Sequence, residues 1–477
     1  MEFATASFGF FALCVVTGAW LLRPWPLVWR LWLLAASLYF ASRWRLDFVA
    51  LLLGSAGLTW ACGEAVWRSR GGRMAKVATL VGVGVNLGAL AVFKYLGFFV
   101  EGLDDFVTWL GLGSHLPVLE LVAPLGLSFY TFQNVAYLVD VRRGVAARPR
   151  DVLDYLLSAA YFPRLAAGPI LRSTEILPQL RTPALLTHSA LSSAFLLVLT
   201  GLAKKWVVGG YLATHMVDEL FTSPEQGTRM ELWTALFAYT AQLWLDFSGY
   251  TDIARGISRL VGIELPENFA SPYAAPNLGE YWRRWHMSFS RWLRDYVYFP
   301  LGGSRGSPAR TALNLCVTFT LCGLWHGASW GFVLWGALHG AALALQKLWR
   351  DARRTRGETV TDTPPLHRYA LGCALTLTFC ALVRVYFKAP DLVTAHTYLR
   401  GLFAGAAPVG IGLDPAVLVL TALALAANFL GPRAFAVAQN ALERVPHWAR
   451  PALWATGALC LWTLRPYEIS DTVYFAF

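Results

Sequence analysis

Charge is scarce in this chain. Asp, Glu, Lys and Arg make up 14% of its 477 residues, against 56% hydrophobic residues, and the mean hydropathy is +0.47. An ordinary soluble domain carries about 25% charged residues, so that class is excluded and a polytopic membrane protein is expected. Acidic side chains are the scarcer sign: 29 against 40 basic ones, a net charge of +11. No Lys/Arg block reads as a nucleic-acid patch, and in a membrane chain the basic excess collects in cytoplasmic loops. Metal-ligand spacing is missing as well. The seven cysteines (14, 62, 316, 322, 373, 380 and 460) lie in apolar segments without a CxxC or CxxH pair, so they read as small hydrophobes and imply neither disulfides nor zinc. The first apolar segment, 3–22, has no basic n-region and is too long for a signal-peptide core, so a retained first transmembrane helix is expected. Without an internal repeat, low-complexity tract or long linker, one membrane domain, 1–477, is the expectation.

Apolar stretches recur at about 3–22, 27–41, 46–61, 77–100, 119–141, 189–210, 231–247, 312–324, 329–345, 369–385, 416–429 and 451–464. Shorter or re-entrant pieces near 153–170 and 393–404 bring the expected count to about 11–13 transmembrane or re-entrant helices. Loop charges orient them. Arg68, Arg70, Arg73 and Lys76 form one basic loop, Arg142, Arg143, Arg148 and Arg150 another, and the acidic loop between them carries Glu101, Asp104, Asp105 and Glu120. One helix out and one back satisfies retention of positive charge inside. A second acidic patch, Asp218, Glu219, Glu225 and Glu231, is placed outside, and a long portion from Asp252 to Arg310 inside.

A broken apolar run between Arg310 and Arg350 stands apart. Both flanks are basic (Arg305 and Arg310 before it, Lys347, Arg350, Arg353, Arg354 and Arg356 after it), and the interruption is Gly323-Leu-Trp-His326-Gly-Ala-Ser329. Basic flanks on both sides predict that the chain goes in and comes back. The first arm, 311–324, would be about 21 Å long at ~1.5 Å per residue, short of the ~30 Å hydrocarbon slab. His326 is therefore expected at membrane depth, near the turn between two helices, where a titratable ring marks either a functional site or a histidine hydrogen-bonded into the bundle.

Just before it, Trp282, Trp285, Phe289, Trp292, Tyr296 and Phe299 recur at spacings of 3, 4, 3, 4 and 3, one face of an in-plane amphipathic helix over 280–299. Arg284, Arg291 and Asp295 fall on nearly the opposite face, with Arg283 and Arg294 flanking, suited to water, phosphate or anionic headgroups. His286 projects roughly 90° from the stripe at ~100° per residue, beside Ser290 and Leu293. The loop Gly302-Gly-Ser-Arg-Gly306 can cradle phosphates or simply turn the chain; it has neither Gly-x-Gly-x-x-Gly nor a Lys-Ser/Thr pair. Asp246, at a membrane edge, needs an internal partner or water, and the two prolines and glycine of 161–169 break an apolar run that only protein or a watery cavity can cover.

Six segments together resemble the bacterial branch of the membrane-bound O-acyltransferase superfamily, in its alginate O-acetyltransferase type. They are Gly-Leu-Trp-His326-Gly-Ala, Tyr281-Trp-Arg-Arg-Trp-His286-Met-Ser, Arg294-Asp-Tyr-Val-Tyr-Phe-Pro-Leu-Gly-Gly, Leu245-Asp-Phe-Ser-Gly-Tyr-Thr-Asp, Asn268-Phe-Ala-Ser-Pro-Tyr and Phe162-Pro-Arg-Leu-Ala-Ala-Gly-Pro. They run in order through a motif-bearing core at about 160–340, and the terminal Val473-Tyr-Phe-Ala-Phe is similar too. The related teichoic-acid D-alanyl branch shares the Trp-Arg-Arg-Trp-His pattern. The resemblance implies an all-α bundle around a central tunnel, with His326 matching the family's invariant histidine and His286 its second functional one. Trp325, Asp246, Ser248, Trp285, Ser290, Arg283, Arg284 and Asn268 are expected to line the tunnel or bind the donor, with no metal.

The same resemblance implies a function. Acetyl groups are expected to pass from cytoplasmic acetyl-CoA across the bacterial inner membrane to a cell-surface or secreted polysaccharide, with a periplasmic SGNH-type acetyltransferase as partner. A hydroxyl is a weak nucleophile near neutral pH, and a neutral imidazole is suited to activate it. An acyl-cysteine route through Cys322, one turn before His326, is the less expected chemistry, since the resemblance supplies no such nucleophile. The alternatives in function are an acyltransferase fed by a thioester-charged carrier protein and a polysaccharide or lipid transporter.

Overall fold

A computed structural model describes residues 5–69, 72–113, 121–358, 365–404, 407 and 409–465, and among them every regular element is helical. The terminal 473–477 motif and Glu120 of the acidic loop lie outside the described residues.

The chain separates into two compact units, 1–194 with 254–266, and 195–253 with 267–477. The first holds α1 (Ala6–Leu22), α2 (Pro26–Ser42), α3 (Leu46–Ser69), α4 (Arg73–Trp109), α5 (Leu127–Arg143), α6 (Val152–Ala160), α7 (Phe162–Leu165) and α8 (Ser173–Arg181). Its core gathers Ala56, Cys62, Val66, Ala75, Ala78, Tyr137, Leu138 and Tyr155. A polar knot ties the same helices: Asn134 donates to Ser55 Oγ and Asn86 Oδ1, both at 2.9 Å, and accepts from Tyr155 OH at 2.9 Å. In an apolar surround such groups must satisfy one another. The break expected within 161–169 falls at Tyr161, between α6 and α7.

In the next span, α9 (His188–Leu202), α10 (Gly210–Leu212) and α11 (Asp218–Thr222) are joined into one apolar rod by two π-helical stretches, Ala203–Gly209 and Ala213–Val217. α12 (Arg229–Val261) follows. It runs well past Asp252, so the portion from that residue to Arg310 begins as helix, its apolar and small residues keeping the helical period. The remaining elements are α13 (Leu278–Arg284), α14 (Met287–Leu293), α15 (Pro308–His326), α16 (Trp330–Thr355), α17 (Leu366–Val383), α18 (Val385–Lys388), α19 (Leu392–Phe403), α20 (Pro415–Glu443) and α21 (Arg450–Leu464).

Among the described residues, four helical rods are long and apolar enough to cross a membrane: Leu46–Ser69, Arg73–Trp109, His188–Thr222 and Leu366–Lys388, with the two halves of α20 as a fifth if they count as one. α1 and α2 are apolar but only 17 residues each. The expected 11–13 therefore includes short pieces such as α6 with 9 residues and α19 with 12, and the longer but more polar pair α15 and α16. The molecule is an all-α, multi-pass membrane protein.

Candidate active site

α15 and α16 form a helical hairpin, and its tip carries His326. Ser307 caps α15 by accepting from Arg310 N, Pro308 supplies the first-turn residue, and the helix ends at His326 itself. Ser329 then caps α16, accepting from Phe332 N. Glycines let the two arms touch backbone to backbone: a methyl at Gly336 would overlap the Phe319 carbonyl, and one at Gly340 would lie 2.7 Å from Cys316 Cα. The hairpin of two helices expected around His326 is thus present. The first arm is longer than expected, 19 residues or about 28 Å, since the helix extends a turn into the basic flank and through the Trp325-His326 pair.

His326 is 5% exposed and its ring packs against aromatics: Phe387 at 4.9 Å between ring centroids, Trp325 at 4.8 Å, Trp335 at 5.2 Å and Phe289 at 6.1 Å.

His286 departs from its expected place. The aromatic stripe is not one helix: α13 ends at Arg284, Trp285 is extended, His286 takes φ 42° in the left-handed region, and α14 starts at Met287. Arg294–Tyr298 continues as a π-turn. The break turns His286 inward, 1% exposed, instead of leaving it on the flank of a continuous helix. Asn268 explains the break. Its backbone carbonyl accepts from Met287 N at 3.0 Å, and its Oδ1 accepts from Ser288 N at 3.1 Å and Ser288 Oγ at 2.9 Å. Because an N–H can only donate, these bonds fix that atom as oxygen, so His286 Nδ1, 3.3 Å away, donates to it and the basic lone pair resides on Nε2. Burial pushes the His286 imidazole down to about 3, so it is neutral near pH 7.

The two histidines share one aromatic stack. Phe289 and Trp325 lie face to face at 4.1 Å; the His286 ring is 5.0 Å from Phe289 and 5.9 Å from Trp325, and the His326 ring touches the same two residues. Of the other residues expected here, Asn268 and Trp325 join this cluster. Trp285, next to His286, stacks with Tyr281 at 5.7 Å and meets Phe269 at 5.0 Å. Asp246 finds the internal partner its position required, a buried ion pair with Lys205, and Ser248 Oγ is buried without a partner among the described residues. Between them Phe247 contacts His286 at 4.7 Å. Ser290 Oγ donates to the Trp285 carbonyl at 3.0 Å, a backbone brace at the break. Arg283 and Arg284 turn elsewhere: Arg283 pairs with Glu280, and Arg284 donates to the Ala274 carbonyl at 3.0 Å. The Gly302-Gly303 loop is a turn, with φ of 111° and 59° and its Gly303 carbonyl accepting from Asn314 Nδ2 at 2.9 Å.

Two residues escaped the sequence reading. His339 on α16 is buried, its Nδ1 accepting from Trp282 Nε1 at 3.4 Å, and its ring meets Trp335 at 4.8 Å, the indole that also contacts His326. Arg384, between α17 and α18, is buried against Trp285 and Tyr281. Each was visible as a lone ionisable residue in an apolar stretch. Among the described residues no group of three or more His, Cys, Asp or Glu could hold a metal ion.

Residues 141–364 match the membrane-bound O-acyltransferase family. The chain is 33% identical over 403 residues to a peptidoglycan O-acetyltransferase of Helicobacter pylori, covering 79% of this chain and 74% of that protein. To a probable alginate O-acetylase of Pseudomonas putida it is 36% identical over 420 residues, 85% of this chain and 82% of the relative. A teichoic acid D-alanyltransferase of Bacillus subtilis matches at 28% over 242 residues, 48% of this chain and 60% of that protein. The chain belongs to the membrane-bound O-acyltransferase family, and it is an acyltransferase.

Proposed function

We propose that this acyltransferase moves acetyl groups from cytoplasmic acetyl-CoA across the bacterial inner membrane for O-acetylation of a cell-surface or secreted polysaccharide. The observation that carries the reading is the pair of buried imidazoles, His326 and His286, both in contact with the Phe289–Trp325 stack. The relatives named for acetyl transfer to peptidoglycan and alginate support the acetyl group and the polysaccharide class.

The chemistry follows from the two rings. A hydroxyl oxygen of the acceptor attacks the thioester carbonyl carbon while His326 takes its proton; the tetrahedral intermediate collapses, the C–S bond breaks, and the proton passes to the departing thiolate. His286, with its Nδ1 proton committed to Asn268, presents Nε2 to orient the acceptor hydroxyl. The aromatic wall excludes water, which would otherwise hydrolyse the thioester. A periplasmic SGNH-type acetyltransferase then completes delivery to the polymer. His326→Ala, expressed at the wild-type level, is expected to lower polymer acetylation in cells by about 10²–10⁴-fold, the usual contribution of a general base. Unchanged acetylation removes His326 from the reaction.

The match to a D-alanyltransferase favours one second reading, a donor thioester carried on a protein instead of on CoA. Supplying purified protein with acetyl-CoA alone, or with an acetyl-charged carrier alone, separates the two by which one releases free thiol.

A further inference from the structure

Arg384 lies within the Leu366–Lys388 span and is 2% exposed. Its Nη2 donates to Tyr281 OH at 2.7 Å, and the guanidinium carbon sits over the rings of Trp285 at 4.9 Å and Tyr273 at 5.2 Å. Among the described residues, Nη1 has no hydrogen-bond partner and no carboxylate is bonded to this guanidinium. Other buried cations among the described residues have partners. Arg30 meets Asp154 at 2.7 Å, Lys205 meets Asp246, and Arg164 donates to the Ser158 carbonyl at 2.8 Å.

A cation buried without a counter-ion pays a desolvation cost that aromatic faces return only in part. A second unpartnered group is close: Tyr239 OH is buried without a hydrogen bond and lies within electrostatic reach of Arg384. The carboxylates within electrostatic reach of that tyrosine, Asp218 and Asp246, are taken up by Lys388 and Lys205. A planar guanidinium with a free N–H, within electrostatic reach of an unbonded phenol hydroxyl, suits an anionic oxygen group.

We infer that Arg384 Nη1, with the Tyr239 hydroxyl, binds an anionic oxygen group, phosphate or carboxylate, carried by a substrate of the acyl transfer. The inference rests on the acyltransferase reading above and names substrate chemistry within it. The group comes either from the donor, as the phosphate of a pantetheine arm, or from the acceptor, as the carboxylate of an acidic sugar.

The test is ligand-induced thermal stabilisation of the full-length protein purified in a nonionic detergent. Two pairs of probes are used: 4′-phosphopantetheine against pantetheine, and a uronic-acid trisaccharide against its carboxyl-reduced form. Wild type is expected to be stabilised by the charged member of one pair and not by its neutral counterpart; the first pair assigns the donor, the second the acceptor. Arg384→Gln is expected to bind that probe roughly tenfold to a hundredfold more weakly, the loss of one charge-assisted hydrogen bond. Without ligand it should unfold at or above the wild-type temperature, since the uncompensated charge is gone. Should Arg384→Gln fail to fold, Arg384→Lys, which keeps the charge without the planar fork, is expected to show an intermediate loss. Wild-type response equal within both pairs, or absent, overturns the inference, as does an unchanged response in the Arg384 variants. His326→Ala protein is expected to bind the same probe with wild-type affinity while transferring no acetyl group. Transfer retained in His326→Ala would sink the general-base reading alone; anion binding indifferent to Arg384 would sink this one alone.

Discussion

Asn268 does more for this site than its small size suggests. Its carbonyl and carboxamide together hold Met287, Ser288 and His286, and so fix both the left-handed turn and the tautomer of a buried ring. Asn268→Ala is expected to lower acetyl transfer while leaving the expression level near wild type, with Asn268→Asp restoring part of it because a carboxylate still accepts from the same donors. Equal activity of wild type and Asn268→Ala would show that the tautomer is set elsewhere. The neutral His286 also couples folding to pH. Its folded value, about 3, lies below the ordinary histidine value of 6.5, so the unfolded chain binds the proton more readily. The stability this residue contributes is whole above pH 6.5 and drains away as pH falls toward 3. His286→Asn, which keeps a side chain tolerant of left-handed backbone, is expected to show a shallower loss of unfolding temperature between pH 7 and pH 4. A slope identical to wild type would mean the ring is not buried in its neutral form.

At the scale of elements, the α15–α16 hairpin depends on glycine contacts that leave no room for a methyl group. Gly336→Ala is expected to cost about 1–3 kcal/mol by overpacking against the Phe319 carbonyl, read as a lower unfolding temperature in detergent; no change would show that the arms stand further apart. This hairpin was legible in the sequence because basic flanks, an apolar run and a single polar break at His326 are all composition signals. The break at His286 was not legible. Trp282, Trp285, Phe289 and Trp292 keep helical spacing straight through it, and a positive φ at one histidine leaves no trace in periodicity. The pairing of Lys205 with Asp246 was half legible: the acid required a partner, but only the π-helical stretch that carries the lysine shows which one answers. Arg384 stood in plain view as a lone charge in the 369–385 stretch, and its aromatic surroundings come from residues about 100 positions earlier, such as Tyr281.

For the molecule as a whole, the proposal needs an orientation. Arg305 and Arg356, on either side of the hairpin, should both face the cytoplasm, and Asp104 and Glu225 the opposite side. In a variant with its seven cysteines replaced, single cysteines at Ser304 and Arg356 are expected to react with a membrane-impermeant maleimide only in inverted vesicles, and one at Glu225 only in intact cells; the reverse pattern at either hairpin flank breaks the in-and-back path. The most direct test of the central claim, histidine-dependent acyl transfer through this bundle, uses sealed inverted vesicles from cells that make the acceptor. Acetyl-labelled CoA is added outside, where the cytoplasmic face now points, and label is counted on polysaccharide inside. Wild-type vesicles are expected to accumulate labelled polymer and release free CoA, and His326→Gln vesicles with equal protein to do neither above background; equal labelling in the two preparations would contradict the account.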